Sequence, residues 1–282
     1  MKTLAEILTI SSHFLKEKGC TRFRRDAEDL ISSVLQLKRI DLYMQFDRPM
    51  QEVELEALRI LLKRAAGGEP IEYIIGKVLF YDCEISVSPD VLIPRPETEI
   101  LVEAACRILN GTDVHSKTAW DLCTGSGCIG IAIKKACPHL SLSASDISNK
   151  ALEVAVMNAK KNEAEIEFLL GDLLIPFTGR KADIVVCNPP YVSSAEFLTL
   201  DRSVKDHEPQ IALLGGDDGL SFYRKLENEL PSYLNSGAKI FFEIGALQGK
   251  AVQNIFCSKG WKNKRVEKDW SGHDRFFSLE FE

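Results

Sequence analysis

The tetrapeptide Asn188-Pro189-Pro190-Tyr191 follows an apolar run, Ala182-Asp183-Ile184-Val185-Val186-Cys187, that predicts a buried strand. Two successive prolines remove two backbone donors and fix two φ angles. Pro189 also drives Asn188 out of the helical region. The result is a rigid corner carrying an amide side chain, a proline carbonyl and an aromatic ring. Its oxygens can accept both hydrogens of a planar NH2 group while the ring stacks on it. Methylation of an amide or an exocyclic amine needs that set of contacts. A Pro-Pro turn that merely ends a strand carries the same residues, so the corner has to be weighed against the rest of the chain.

A second constellation lies upstream, in Asp121-Leu122-Cys123-Thr124-Gly125-Ser126-Gly127-Cys128-Ile129-Gly130. Gly125-x-Gly127-x-x-Gly130 has the form of a dinucleotide fingerprint, a weak signal alone. Glycines let the backbone approach a ligand, and a helix N-terminus offers free N–H groups. About twenty residues on, Leu142-Ser143-Ala144-Ser145-Asp146 ends in an acid that can hold two ribose hydroxyls. The competing role for Asp146 is a helix N-cap. Gly171-Asp172-Leu173 is placed to meet an adenine, Asp172 accepting from its amine and Leu173 packing on its face. The pattern fits NAD or S-adenosylmethionine, and the corner at Asn188 favours the methyl donor. The expected cofactor contacts are Asp121, Cys123, Thr124, Gly125, Ser126, Gly127, Asp146, Asp172, Leu173 and Asn188. Asp121 is expected near the methionine ammonium, with turn capping as its alternative.

These groups need elements to hold them. Residues 1–70 read as a small helical bundle, from Leu4, Ile7, Leu8, Phe14 and Leu15, then Ala27, Leu30, Ile31, Val34 and Leu35, then Val53–Arg64. Gly67-Gly68-Glu69-Pro70 stops the third helix. Residues 71–96 alternate and carry aromatics, which predicts a β-hairpin linker. Residues 97–282 open with a helix over 97–109 and then alternate strand and helix. That predicts a doubly wound α/β domain with ligands beyond the strands' carboxyl ends. The bundle reads as a substrate-docking module or a stabilising extension.

Across 282 residues, 45 % are hydrophobic and 27 % charged, ordinary for a globular protein. A net charge of −6 argues against broad nucleic-acid binding. The first residues lack a signal peptide's apolar core, and no apolar run approaches the roughly 20 residues of a membrane span. Eight cysteines without a C-x-x-C pair read as reduced, mostly buried thiols of a cytoplasmic protein. The five histidines show no metal-ligand spacing, so no metal is expected.

With these pieces in order the chain closely resembles the bacterial release-factor glutamine methyltransferases over nearly its whole length. The resemblance rests on Gly68-Glu69-Pro70-Ile71-Glu72-Tyr73-Ile74-x-Gly76, Val91–Glu99, Asp121–Gly127, Asn188–Tyr191, Glu208–Leu220, Glu243-Ile244-Gly245 and Gly272-His273-Asp274-Arg275. It departs at Glu72, where glutamine is frequent, at Cys123, where glycine is common, and at Leu173, sometimes a larger aromatic.

The resemblance implies a class I, Rossmann-like S-adenosylmethionine-dependent methyltransferase. It implies that the acceptor is the glutamine side chain of the Gly-Gly-Gln motif in class-1 peptide chain release factors. The Asn188 side-chain oxygen and the Pro189 carbonyl would each take one amide hydrogen, with Pro190 and Tyr191 completing the clamp and Tyr191 packing on the amide plane. Thr98 and Glu97 are placed near the methionine end, with a helix-start cap as the alternative. Glu243 is either a pocket wall or a structural carboxylate.

Three rival readings remain at the level of the sequence. A nucleic-acid amino-methyltransferase uses the same corner on a flipped base, but the acidic balance and the missing basic, aromatic-interleaved segment oppose it. A non-catalytic cofactor-binding protein leaves the intact site residues unexplained. A dehydrogenase leaves the corner unexplained.

Overall fold

The computed structural model describes residues 2–109 and 117–282. Two compact units emerge, Met1–Gly76 with Asp201–His207, and Lys77–Leu200 with Glu208–Glu282.

The first unit contains α1 (Leu4–Glu17), α2 (Phe23–Leu35), α3 (Arg39–Tyr43), α4 (Glu52–Ala66) and α5 (Ile71–Ile75). Thr3 and Glu6 cap α1 reciprocally: the Glu6 N–H donates to Thr3 Oγ1 at 3.3 Å and the Thr3 N–H to Glu6 Oε2 at 2.8 Å. Leu4, Leu15, Leu30, Ile31, Leu42 and Leu58 form the heart of its core.

The expected 71–96 hairpin is divided. Residues 71–75 are helical: Pro70, at φ −56°, presets the entry, and Tyr73 and Ile74 are both buried by the turn. Gly76, at φ +80°, ends the helix. The hairpin proper is β1 (Lys77–Phe80) with β2 (Cys83–Ser86). It turns through Tyr81 and Asp82, both at positive φ, and belongs to the second unit.

That unit continues through α6 (Thr98–Leu109), β3 (Thr118–Leu122), α7 (Cys128–Ala136), β4 (Ser141–Asp146), α8 (Asn149–Lys161), β5 (Glu167–Leu170), β6 (Ala182–Cys187) and α9 (Ser194–Thr199). A one-turn helix, α10 (Arg202–Lys205), falls in the segment counted with the first unit. The second unit then resumes with α11 (Ser221–Glu229), β7 (Leu234–Glu243), α12 (Gly249–Ile255), β8 (Trp261–Lys268) and β9 (Asp274–Phe281). Pro231 ends α11, and a 3-10 turn, Leu230–Tyr233, follows it.

Among the described residues β3 to β9 form one seven-stranded sheet, β5-β4-β3-β6-β7-β9-β8, separate from the β1–β2 hairpin. The first five are parallel and β9 runs antiparallel to both its neighbours. Strand order reverses between β3 and β6, the point where open α/β sheets bind ligands. Register sets the site: Leu122 pairs with Ser145 on one side and Cys187 on the other, and Cys187 pairs with Phe242. Cys123, Asp146, Asn188 and Glu243 therefore stand at one level at the sheet's edge, each directly after one of these paired residues. Beneath them Trp120, Phe177, Tyr223, Phe242, Phe256 and Phe277 are fully buried. Each such side chain contributes about 1.5–3 kcal/mol relative to exposure.

Candidate active site

The loop after β3 is tied from inside. Asp121 is 1 % exposed, and its Oδ2 accepts from the Thr124 hydroxyl at 2.5 Å and the Gly130 N–H at 3.0 Å. This is the turn-capping role. Its Oδ1 is buried with no partner among the described residues. Burial pushes the Asp121 carboxyl up to about 7, helped by the charge of Asp146 and opposed by the Thr124 and Gly130 hydrogen bonds. Cys123, Gly125 and Gly127 all take positive φ, +56°, +54° and +81°. A Cβ at Gly125 would meet nothing within 4 Å, whereas one at Gly127 would sit 3.1 Å from the Ala155 Cβ. Asn158, fully buried in α8, donates to the Ser126 and Ser86 carbonyls, both at 2.9 Å, and accepts from the Ser86 N–H at 2.8 Å. It fixes the loop's far side.

Asp146 uses one oxygen to accept from the Gly125 N–H at 2.8 Å and the other from the Ser148 N–H at 2.9 Å. Burial raises its pKa and those two N–H groups oppose the rise. Asp172 meets the Lys225 ammonium of α11 at 2.5 Å. Leu173, at φ +47° and buried, joins the core at the same edge.

The corner after β6 is braced by segments remote in sequence. A Cβ on Gly215 would lie 2.6 Å from the Pro190 carbonyl oxygen and 2.8 Å from the Tyr191 Cα. Gly219, at φ +74°, lies against the Tyr191 carbonyl more closely than any side chain permits. The Gln248 amide donates to that same carbonyl at 2.8 Å. Val192 and Leu214 form a parallel bridge beside it. These contacts account physically for the Glu208–Leu220 stretch: its glycines are the space in which the corner sits. At the start of the stretch, Glu208 accepts from the Ile93 N–H at 3.1 Å and from Arg95 at 2.5 Å, tying it to the Pro94–Glu99 segment.

Glu243 is 1 % exposed. Its Oε2 accepts from the Thr98 hydroxyl at 2.6 Å and its Oε1 from the Tyr191 hydroxyl at 3.1 Å. Burial raises its pKa while Thr98, Tyr191 and Arg275 oppose the rise. Burial also raises the Tyr191 phenol, with the Glu243 charge adding to it. Two thiols nearby are held in the protonated form. Burial pushes Cys128 up to about 12 and raises Cys187 well above its ordinary value.

A cavity of about 390 Å³ opens at this edge, large enough for a nucleoside-sized ligand. Its wall includes Cys123, Thr124, Gly125, Ser126, Asp146, Asp172, Leu173, Asn188, Pro190 and Thr98. Asp121, Gly127, Pro189, Tyr191 and Glu243 are not among its lining residues. The wall also holds Ile147, Phe222, Lys225 and Ile211, which the sequence reading passed over. Ile147 had a usable sign, an apolar residue directly after the strand-end acid. Lys225 had none, being a lysine beside other charged residues on a short polar helix.

Sequence comparison agrees with this geometry. A family model for the PrmC N-terminal domain matches residues 6–76, and one for the methyltransferase small domain matches residues 98–205. The release factor glutamine methyltransferase of Chlamydia trachomatis serovar L2 is 42 % identical over 279 residues, covering 98 % of this chain and 94 % of that protein. The chain belongs to the release factor glutamine methyltransferase family. Another member, from Bacillus subtilis strain 168, is 40 % identical over 282 residues, with 98 % and 96 % covered. In fold, this family member resembles a methyltransferase from Pyrococcus furiosus, with a TM-score of 0.53 at 18 % identity, covering 80 % of this chain and 98 % of that one. The sheet is that of S-adenosylmethionine-dependent methyltransferases, and the protein is an enzyme of that class.

Proposed function

We propose that the protein transfers a methyl group from S-adenosyl-L-methionine to the side-chain nitrogen (N5) of the glutamine in the Gly-Gly-Gln motif of class-1 peptide chain release factors. The observation that carries this reading is the junction of two features in one cavity. The Cys123–Gly127 loop with Asp146 supplies a nucleoside site, and the Asn188 corner opens into the same space.

The residues fit that cofactor. Open space at the Gly125 Cβ position leaves room for a ligand against the backbone, and the buried Asp121 Oδ1 and Ser126 Oγ have no partner among the described residues. Asp146 would hold the ribose, Asp172 and Leu173 the adenine, and Thr124 and Ser126, with Asp121 behind them, the methionine end. When bound, the cofactor supplies an electrophilic methyl on a sulfonium.

The chain's own part is placement. An amide nitrogen is a poor nucleophile because its lone pair is delocalised into the carbonyl. The Asn188 side-chain oxygen and the Pro189 carbonyl accept its two hydrogens, orient the nitrogen and stabilise positive charge as it builds there. Pro190 and the Tyr191 ring limit the other directions. The proton leaves after the new C–N bond forms, when the nitrogen is strongly acidic, so no histidine or carboxylate need act as a base.

The first unit is assigned a docking role toward the release factor, and the reaction a cytoplasmic setting. Among the described residues no helix is long and apolar enough to cross a membrane.

The test is transfer of labelled methyl to purified release factor, run beside a copy with the Gly-Gly-Gln glutamine changed to alanine, and beside total RNA and DNA. Label on the intact release factor alone supports the proposal. Label on nucleic acid with none on release factor overturns it in favour of base methylation.

A further inference from the structure

A buried carboxylate with no proton to transfer needs an account. Desolvating a charge costs several kcal/mol, and an apolar side chain of similar volume often serves stability as well. Glu243 is 1 % exposed and uses both oxygens, one for the Thr98 hydroxyl and one for the Tyr191 hydroxyl. Thr98 lines the cavity wall at the start of α6, and Tyr191 belongs to the acceptor corner. The Tyr223 hydroxyl donates to the Glu243 carbonyl at 2.7 Å, so the residue's backbone is fixed as well. Arg275 is the cation acting on the carboxylate, itself held by Asp269 at 3.2 Å.

We infer that Glu243 is a positioning residue for methyl transfer, a single anchor that sets the Tyr191 ring on the acceptor side and Thr98 on the cofactor side at once. The inference rests on the amide-methylating reading above and deepens it. One consequence is chemical. The Tyr191 hydroxyl is spent inward on Glu243, so Tyr191 presents only its ring to an incoming amide. A second is geometric. Residues 98 and 191 lie far apart in the chain, one opening a helix and one in a loop, and one carboxylate sets their spacing.

The test is a double-mutant cycle of Glu243→Gln and Tyr191→Phe, both nearly isosteric. The readouts are kcat at saturating S-adenosylmethionine, cofactor affinity by calorimetry and the thermal midpoint. Each single variant is expected to lose about 10-fold in kcat, within the range for sub-ångström misplacement, with cofactor affinity changed far less. A glutamine offers one acceptor oxygen and cannot take both hydroxyls at once, so the double variant should fall about as far as Glu243→Gln alone, because Tyr191→Phe removes a contact that the glutamine has already weakened. Losses that multiply, or a Glu243→Gln enzyme with wild-type kcat, overturn the assignment.

A second readout is independent of turnover. With 3-fluorotyrosine at position 191, the fluorine resonance should be single and sharp beside Glu243 and broadened or doubled in Glu243→Gln. An unchanged resonance also overturns the inference. A wild-type protein that methylates no release factor overturns the substrate reading instead, and the fluorine experiment still judges the anchor.

Discussion

Replacing Gly215 by alanine probes the acceptor corner without touching it chemically. Gly215 does not line the cavity, and its φ lies outside the left-handed region, so alanine brings no backbone strain of its own. The added methyl would stand 2.6 Å from the Pro190 carbonyl oxygen, 2.8 Å from the Tyr191 Cα and 2.9 Å from the Gly219 carbonyl oxygen. All three neighbours are backbone, so no side chain can rotate away. Reaching ordinary contact at 3.4 Å requires the Pro190 carbonyl to retreat by about 0.8 Å.

A misplacement of about 1 Å costs on the order of 100-fold in rate, so kcat should fall roughly 30- to 100-fold. Overpacking of this kind costs about 1–3 kcal/mol, which lowers the thermal midpoint by about 2–4 °C per kcal/mol in a unit of this size. Cofactor affinity should hold, since no cavity wall residue changes. The assay is methyl transfer to release factor with calorimetric S-adenosylmethionine binding and a melting curve. Gly237→Ala is the control: its φ is +79° with nothing within 4 Å, so it should lose about 1 kcal/mol of stability and no activity. A Gly215→Ala enzyme with kcat within twofold of wild type would falsify the claim that the Glu208–Leu220 segment holds the corner in place.

Asn188→Ala removes a proposed acceptor of the amide hydrogens and should lower kcat by at least about 100-fold while cofactor binding weakens only modestly; equal losses in both would refute the clamp. The Asp121 carboxyl has an ordinary value of 3.8 and is pushed up to about 7 by burial. Its folded pKa is the higher one, so its stabilising effect is complete below 3.8 and is lost as pH rises through about 7. Asp121→Asn, whose carbonyl can still take the Thr124 and Gly130 hydrogens, should flatten that decline in ligand-free denaturation midpoints across this range; an unchanged slope would show that Asp121 is not the titrating group. At Cys123, held at φ +56°, the glycine variant should be more stable than the alanine variant by about 1 kcal/mol, because alanine keeps a Cβ in the left-handed region; the order of the two melting temperatures decides it.

The strands that position the site were legible because parallel strands buried on both faces read as continuous apolar runs, as Ala182–Cys187 does. The corner was legible because proline chemistry is local. Five residues at Ile71–Ile75 cannot separate helical from alternating spacing, and there the hairpin expectation overreached. The α9 helix was within reach: Ser193 and Glu196 form a capping box in a plain Ser-x-x-Glu spacing. The braces were not. Tyr191 meets Glu243 and Lys225 meets Asp172 across 52 and 53 residues of chain. Gly215 looks like any loop glycine until the Pro190 carbonyl is seen to occupy the place of its Cβ. Spacing along the chain carries no record of such pairs.

The same braces indicate where pH should act on this enzyme. An Asn side chain and a proline carbonyl do not ionise near neutrality, so the proposed clamp has no titrating part. Glu243 is enclosed by two hydroxyl donors and Arg275, and it exchanges no proton with a substrate. Of the site's carboxyls, Asp121 is the one pushed up to about 7, and it lies under the cofactor loop rather than at the corner. A rate limited by the clamp should therefore be nearly flat through neutrality at saturating cofactor. Dependence on pH should enter through cofactor affinity, rising as Asp121 ionises beneath the loop assigned to the methionine ammonium. If methyl transfer works by placement alone, as proposed, rigidity of the corner is the property that the surrounding glycines, Gln248 and Glu243 serve.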